Sequence, residues 1–140
     1  MRDELKFKSA QALLELALCT PIVVLLVLGT VASVQIAGAR AGLEAATQAA
    51  GDAAARAPDP ATAVSSAHER FQSIVADYPL GSATLTVSMT GFERAGHIIA
   101  ASTARVDLGW ARFLVVPTRI TLRSEVVLTL EPWRTHRLSR

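Results

Sequence analysis

Glu15 is the side chain whose type and position most demand a chemical explanation. No Asp, Glu, Lys, Arg or His follows it until Arg40, so its carboxyl group borders 24 uncharged positions, Leu16 to Ala39. An ionisable group at the edge of an apolar helix is costly and takes a partner. Either the carboxylate reaches the headgroups as a solvated edge residue, or it has a functional role. Pro21, six positions on, has no N–H, so the Ala17 carbonyl loses its helical partner and the helix is weakened there. Such breaks are tolerated in membranes where neighbours re-satisfy the freed carbonyl. The other reactive side chains form no constellation. His68, His97 and His136 sit in unrelated contexts, and His68-Glu69-Arg70 lacks the second histidine at i+4 that a zinc helix needs. Cys19 is the one cysteine, which excludes an intrachain disulfide, and it reads as a small hydrophobe facing lipid or a neighbouring helix. There is no phosphate-binding glycine loop, no zinc spacing and no nucleophile elbow. The sequence therefore predicts no enzyme, no metal and no cofactor. Nucleic-acid binding has only the Arg-containing tail behind it and is not expected.

The element that positions Glu15 is the apolar run itself. As a helix, 24 residues extend about 36 Å, against a hydrocarbon core of about 30 Å, so the run over 16–39 is long enough to span with some tilt. Ahead of it lies a charged leader, residues 1–10, in which Arg2, Lys6 and Lys8 favour a cytoplasmic N-terminus. The net charge of +2 distinguishes no partner. About one hundred residues remain beyond the run, enough for one small domain.

That remainder reads as helix and then sheet. Gly38 and Gly42 form a G-x-x-x-G pair, and Ala37, Ala41, Ala45 and Ala49 repeat every four residues, a pattern that allows close helix approach. The close neighbour would be this chain's own sheet in part, and other subunits otherwise. Arg40, Glu44, Gln48, Asp52 and Arg56 make a polar stripe with room for two ion pairs. One helix is thus expected from about Ala12 to Ala57, ended by Pro58-Asp59-Pro60, where Asp59 makes a good N-cap for a second helix and Pro60 a good first residue. That second helix, over 61–77, shows an apolar face of Ala61, Val64, Ala67, Phe71, Ile74, Val75 and Tyr78.

Strict alternation over 84–90, 98–107 and 119–131 predicts three strands. Ile98, Ala100, Ser102, Ala104 and Val106 share one face, as do Ile120, Leu122, Ser124, Val126, Leu128 and Leu130, while Arg119, Thr121, Arg123, Glu125, Thr129 and Glu131 take the other. One apolar and one polar face fits an antiparallel sheet covered on one side by helix. The expected fold class is α+β. It has a long N-terminal transmembrane helix continuing beyond the membrane (11–57), a helix-plus-sheet domain (58–131) and a basic tail (132–140). The apolar stretch 109–117 reads as a loop closing the end of the core.

Ser9-Ala10-Gln11-Ala12-Leu13-Leu14-Glu15-Leu16-Ala17-Leu18-Cys19-Thr20-Pro21 resembles the amino-terminal signature of the TadE-like pseudopilins of the tight-adherence (type IVc) pilus. In that family Gly-Gln-Ala-Leu-Val-Glu-Phe-Ala-Leu is followed by Pro three residues on. Gln11, Ala12, Leu13, Glu15, Ala17, Leu18 and Pro21 fit, while Ala10 replaces the usual Gly and Leu16 the usual Phe or Tyr. The hydrophobic, proline-containing stretch 109–117 before the last strand is similar to the family's too. The resemblance implies a pilin-like fold, a class III signal and cleavage by a prepilin peptidase between Ala10 and Gln11. Glu15, with Leu16 and Pro21 beside it, would serve subunit assembly by neutralising the new terminal amine of an adjacent subunit. The implied partners are the membrane, prepilin peptidase, other pilins or pseudopilins and pilus platform proteins. The implied place is the cytoplasmic membrane, single-pass with the C-terminal domain outside the cytoplasm, or the extracellular pilus. Two other readings stay open. Ala37-Gly38-Ala39 matches an A-x-A site, so signal peptidase could release a soluble domain after Ala39. Alternatively the chain is a permanently anchored single-span protein of a secretion apparatus. The run is longer than the 7–15 residues of a signal h-region, and Glu15 with Gln-Ala-Leu has no role in such a signal.

Overall fold

A computed structural model describes the backbone of residues 2–91, 96–110 and 118–130, with side chains from residue 11 onward. The element order is α1 (Arg2–Arg56), α2 (Pro60–Val75), β1 (Ala83–Thr90), β2 (His97–Asp107) and β3 (Arg119–Thr129), an α+β fold. By internal contacts the chain divides into two units, Met1–Gln35 and Ile36–Arg140.

In the first unit the helix starts earlier than the sequence suggested, at Arg2 rather than near Ala12. Helix-favouring Glu, Leu, Lys and Ala in the leader sustain it. From residue 13 to 34, twelve large apolar side chains are exposed, Leu16, Leu18, Ile22 and Leu26 among them. Thr20, Thr30 and Ser33 are the hydroxyl residues of the 16–39 run, and each donates to its own helix, to the carbonyls of Leu16, Leu26 and Gly29. These three hydroxyls are thus satisfied within the helix, without water, as a hydrocarbon environment would require.

In the second unit β1, β2 and β3 form one antiparallel sheet in that order. Its register runs from Ala83↔Ala104 to Thr90↔His97 and from Asp107↔Arg119 to His97↔Thr129 without interruption. Gly91 has φ 65°, and a Cβ on Gly96 would strike the Gly91 and Thr90 carbonyls, so both ends of the β1–β2 connection need glycine. The expected faces are observed. Ile98, Ala100, Ser102, Ala104 and Val106 are buried and alternate residues of β3 are half-buried, while Arg119, Arg123 and Glu125 are exposed. β3 ends at Thr129; Leu130 is still buried, its N–H donating to the Gly96 carbonyl at 2.8 Å.

The core joins this sheet to Leu43, Ala46, Ala50 and Ala54 of α1 and to Ala63, Ala67 and Phe71 of α2. Two details of the helices differ from the sequence reading. The face of α2 that enters the core is Ala63–Ala67–Phe71, with Ile74 and Val75 partly buried, whereas Ala61, Val64 and Tyr78 are exposed. The i,i+4 row through the small Ala63 and Ala67 lets α2 approach closely, and this outweighs the larger Val64. The repeat Ala37, Ala41 and Ala45 is exposed and Ala49 half-buried; the core row is Ala39, Leu43, Ala46, Ala50 and Ala54. Asp59 caps α2, its carboxylate accepting from the Thr62 N–H at 2.9 Å and the Thr62 hydroxyl at 2.7 Å. These two bonds, the backbone one foremost, hold its pKa below the ordinary value. The leader side chains, residues 111–117 and the tail 132–140 lie outside the described residues.

Candidate membrane and assembly site

The site residues suggested by the sequence fall in two groups on α1. The first is Gln11, Glu15, Leu16 and Pro21, all exposed. The Ala10–Gln11 peptide bond lies within the helical span Arg2–Arg56, so a peptidase cutting there must first unwind a turn. Glu15 is four residues after Gln11, one turn on the same face. Its carboxylate makes no ion pair among the described residues. Its helix neighbours Leu14, Leu16 and Leu18 are 63%, 64% and 64% exposed. Burying such side chains is worth roughly 1.5–3 kcal/mol each, so the twelve exposed between 13 and 34 represent on the order of 20 kcal/mol of surface that water disfavours. This helix is long and apolar enough to cross a membrane. Pro21 lies inside it.

The second group is Gly38 and Gly42. The structure sets them in different surroundings. A Cβ on Gly38 would meet nothing, whereas one on Gly42 would strike Cγ and Cδ1 of the Tyr78 ring. Gly42 thus holds an intrachain contact, with Tyr78, and Gly38 faces open space. Arg40 and Glu44 form one of the two ion pairs the stripe allows, at 2.8 Å between exposed side chains, a contribution of a few tenths of a kcal/mol.

Two features of this region were not read from the sequence. Ala39 is fully buried, clustered with Val106 and Leu108, with Ile36 packed against them. A single alanine in an alanine-rich helix gives no signal of its own. Thr47 and Ser102 form a buried hydroxyl pair linking α1 to β2. The Thr47 hydroxyl donates to the Leu43 carbonyl at 2.7 Å, so the Ser102 hydroxyl is the donor to Thr47 Oγ1. The sign available in the sequence was Ser102 on the apolar side of an alternating strand, where a polar residue needs a partner.

Among the described residues no three His, Cys, Asp or Glu side chains gather as a metal site. His97 is exposed and His68 half-buried. The surface depressions are shallow. Among the described residues, one lies over Ala101, Thr103, Arg123 and Glu125 on the outer sheet face, and another between α1 and α2 over Ala53, Ser66, Glu69 and Arg70. No protein-family model, no curated protein and no solved structure matches this chain.

Proposed function

We propose that this chain is a single-span membrane subunit of the pseudopilin type, a minor pilin or priming component of a tight-adherence type IV pilus system. The observation that carries the reading is the helical surface around Glu15. Apolar side chains are exposed all round, every hydroxyl on it is internally satisfied, and one carboxylate at its edge has no cation among the described residues. The residues around that carboxylate are also the ones that resemble the TadE-like signature. In this reading prepilin peptidase cuts between Ala10 and Gln11 on the cytoplasmic side. The amine of Gln11 on one subunit then meets Glu15 of another and selects the stagger between neighbours. The basic leader keeps the N-terminus in the cytoplasm and the β domain lies outside. Platform proteins and other pilins would receive the helix, which acts through binding alone.

Release by signal peptidase after Ala39 is disfavoured by a specific observation. Ile36 and Ala39 pack with Val106, Leu108 and Ile120 in the domain's core. A cut after Ala39 would strip that end of the sheet of its helical cover.

The test is the mature N-terminus by mass spectrometry, with piliation scored in parallel. The reading expects a chain starting at Gln11, and expects Glu15→Ala to leave cleavage and insertion intact while impairing assembly. Ala10→Phe should block cleavage, because a bulky group replaces a small one beside the scissile bond. A mature chain starting at Arg40, or normal pili from Glu15→Ala cells, refutes it.

A further inference from the structure

We propose that the end of the second unit where Ile36 and Ala39 meet the sheet binds phospholipid headgroups, with Trp110 set in the membrane interface and Arg105 and Arg119 on anionic phosphates. The inference rests on the single-span reading and is independent of the pilus one. The run 16–39 makes about 36 Å of helix, against about 30 Å of hydrocarbon. With Glu15 among the headgroups of one leaflet, about twenty residues cross the hydrocarbon. That count reaches Gln35, the one side-chain amide of the run. Ile36 to Ala39, the end of the run, then occupy the headgroup layer of the other leaflet, roughly 5–8 Å deep.

These residues are already part of the folded domain. Ala39 is buried with Val106 and Leu108, and Ile36, Trp110 and Ile120 pack against them. No spacer separates the apolar run from the domain, so residues in contact with Ala39 lie within a side chain's length of the headgroups. The two ends of the sheet are unlike in this respect. At the far end His97 pairs with Thr129, next to Leu128, whose side chain lies by Gly51. Gly51 is fifteen residues beyond Ile36, about 22 Å along α1.

The residue types at the near end suit that layer. Tryptophan gathers at membrane–water interfaces, where its ring meets apolar groups and its N–H stays wet. Trp110 is half-buried and packs on the cluster that holds Ala39. Arg105 and Arg119 are exposed at the same end, each next in the chain to a member of that cluster, Val106 and Ile120. Arg119 stands opposite Asp107, whereas Arg105 stands opposite Thr121, with no carboxylate across from it. Arg40, also exposed, shares its charge with Glu44. A guanidinium pairs with phosphate through two parallel N–H bonds, and its long stem carries the charge to a headgroup while its strand stays in place. Each basic residue near an anionic surface is worth roughly fivefold in a binding constant. Ring and charges thus point to one partner, an anionic phospholipid surface.

The test uses the full chain reconstituted in lipid vesicles, with Trp133→Phe so that Trp110 is the one tryptophan. Nitroxide lipids, labelled at the headgroup or deep in the acyl chain, quench an indole that lies near the label. Trp110 should be quenched more by the headgroup label than by the deep one. Two reporters are placed in a Trp110→Phe/Trp133→Phe chain. His97→Trp, at the far end of the sheet, should be quenched by neither label, and Leu25→Trp, inside the run, by the deep one. If Leu25→Trp is quenched and Trp110 is not, the proposal falls while the span stands. If Leu25→Trp escapes the deep label, the span falls and the proposal with it. Charge is read by urea unfolding followed on Trp110. Replacing part of the phosphatidylcholine by phosphatidylglycerol should stabilise the domain, by up to roughly twenty-five-fold in its folding constant for two arginines. Arg105→Glu/Arg119→Glu, at two exposed positions, should lose that gain. No gain in the native chain, or an equal gain in the reversed one, overturns the proposal.

Discussion

Thr47→Val removes one hydroxyl at constant shape, and the consequence can be worked out bond by bond. Thr47 Oγ1 accepts from Ser102 and donates to the Leu43 carbonyl. Thr47 is fully buried and Ser102 is 3% exposed. The substitution leaves the Ser102 hydroxyl without its acceptor in a dry interior, a cost of about 1–3 kcal/mol. The Leu43 carbonyl keeps its helical partner and loses little. Ser102→Ala acts on the other end. The Thr47 proton still reaches Leu43, so the loss is that of one ordinary bond, about 0.5–1.5 kcal/mol. In the double variant Thr47→Val/Ser102→Ala, no stranded hydroxyl remains. Adding Ser102→Ala, destabilising in the native protein, should therefore raise the stability of Thr47→Val. For a domain of this size 1 kcal/mol moves Tm by about 4–8 °C, so the single Thr47→Val, at about 1–3 kcal/mol, should melt roughly 4–24 °C lower, with part of that recovered in the double variant. Near-ultraviolet circular dichroism of the full chain in micelles reads this transition. Refutation would be a double variant that melts below Thr47→Val, or a Ser102→Ala variant that melts below it, since either result places the shared proton elsewhere.

Gly38→Ala should raise Tm, since it gains helix propensity of about 1 kcal/mol in open space. Gly42→Ala should lower Tm and expose the Tyr78 ring further, read as increased quenching of its fluorescence in a Trp-free background, because the new Cβ occupies the ring's place. Asp59 has its folded pKa lowered by the Thr62 bonds, so its stabilising contribution is complete above the unfolded value near 3.9 and is lost as pH falls through the folded one. Between pH 5 and pH 2 the native chain should lose more Tm than Asp59→Asn, which keeps an oxygen for the cap and carries no titrating group.

What the sequence made legible is what periodicity encodes. Alternation over 84–90, 98–107 and 119–131 placed each strand within a residue or two and assigned both faces of the sheet. A one-residue slip would have put Arg123 and Glu125 in the core, and hydrophobic patterning forbids that. The apolar run from Leu16 to Ala39 was equally plain. Helix packing was not, because in a stretch of alanines every face looks alike. The repeat Ala37–Ala41–Ala45 and the row Ala39–Leu43–Ala46–Ala50 differ by a rotation about the helix axis, and only Leu43 marks the buried one. The same ambiguity hid Ala63 behind Val64 in α2. Around Glu15 the residue types were legible, since a lone carboxylate at the edge of an apolar helix is conspicuous in any sequence. Its partner was not, because the group that answers it belongs to another molecule in the assembly reading.

The alanine core also bears on how this domain uses a partner. The largest fully buried side chains are Phe71, Leu43, Ile98 and Thr47, and much of the remaining core is methyl groups. Small residues bring α1 close to the sheet. At Gly51 a Cβ would lie 2.8 Å from Leu128 Cδ1, so even one methyl would have to displace that side chain. Close approach recovers dispersion contacts, but an alanine buries far less apolar area than a leucine, and hydrophobic stabilisation follows area. A domain built this way gains disproportionately from contacts that order its sheet from outside. The inner residues of β3, Ile120, Leu122, Val126 and Leu128, are only half-buried. Association and stability are then linked, since whatever binds only the folded form stabilises it.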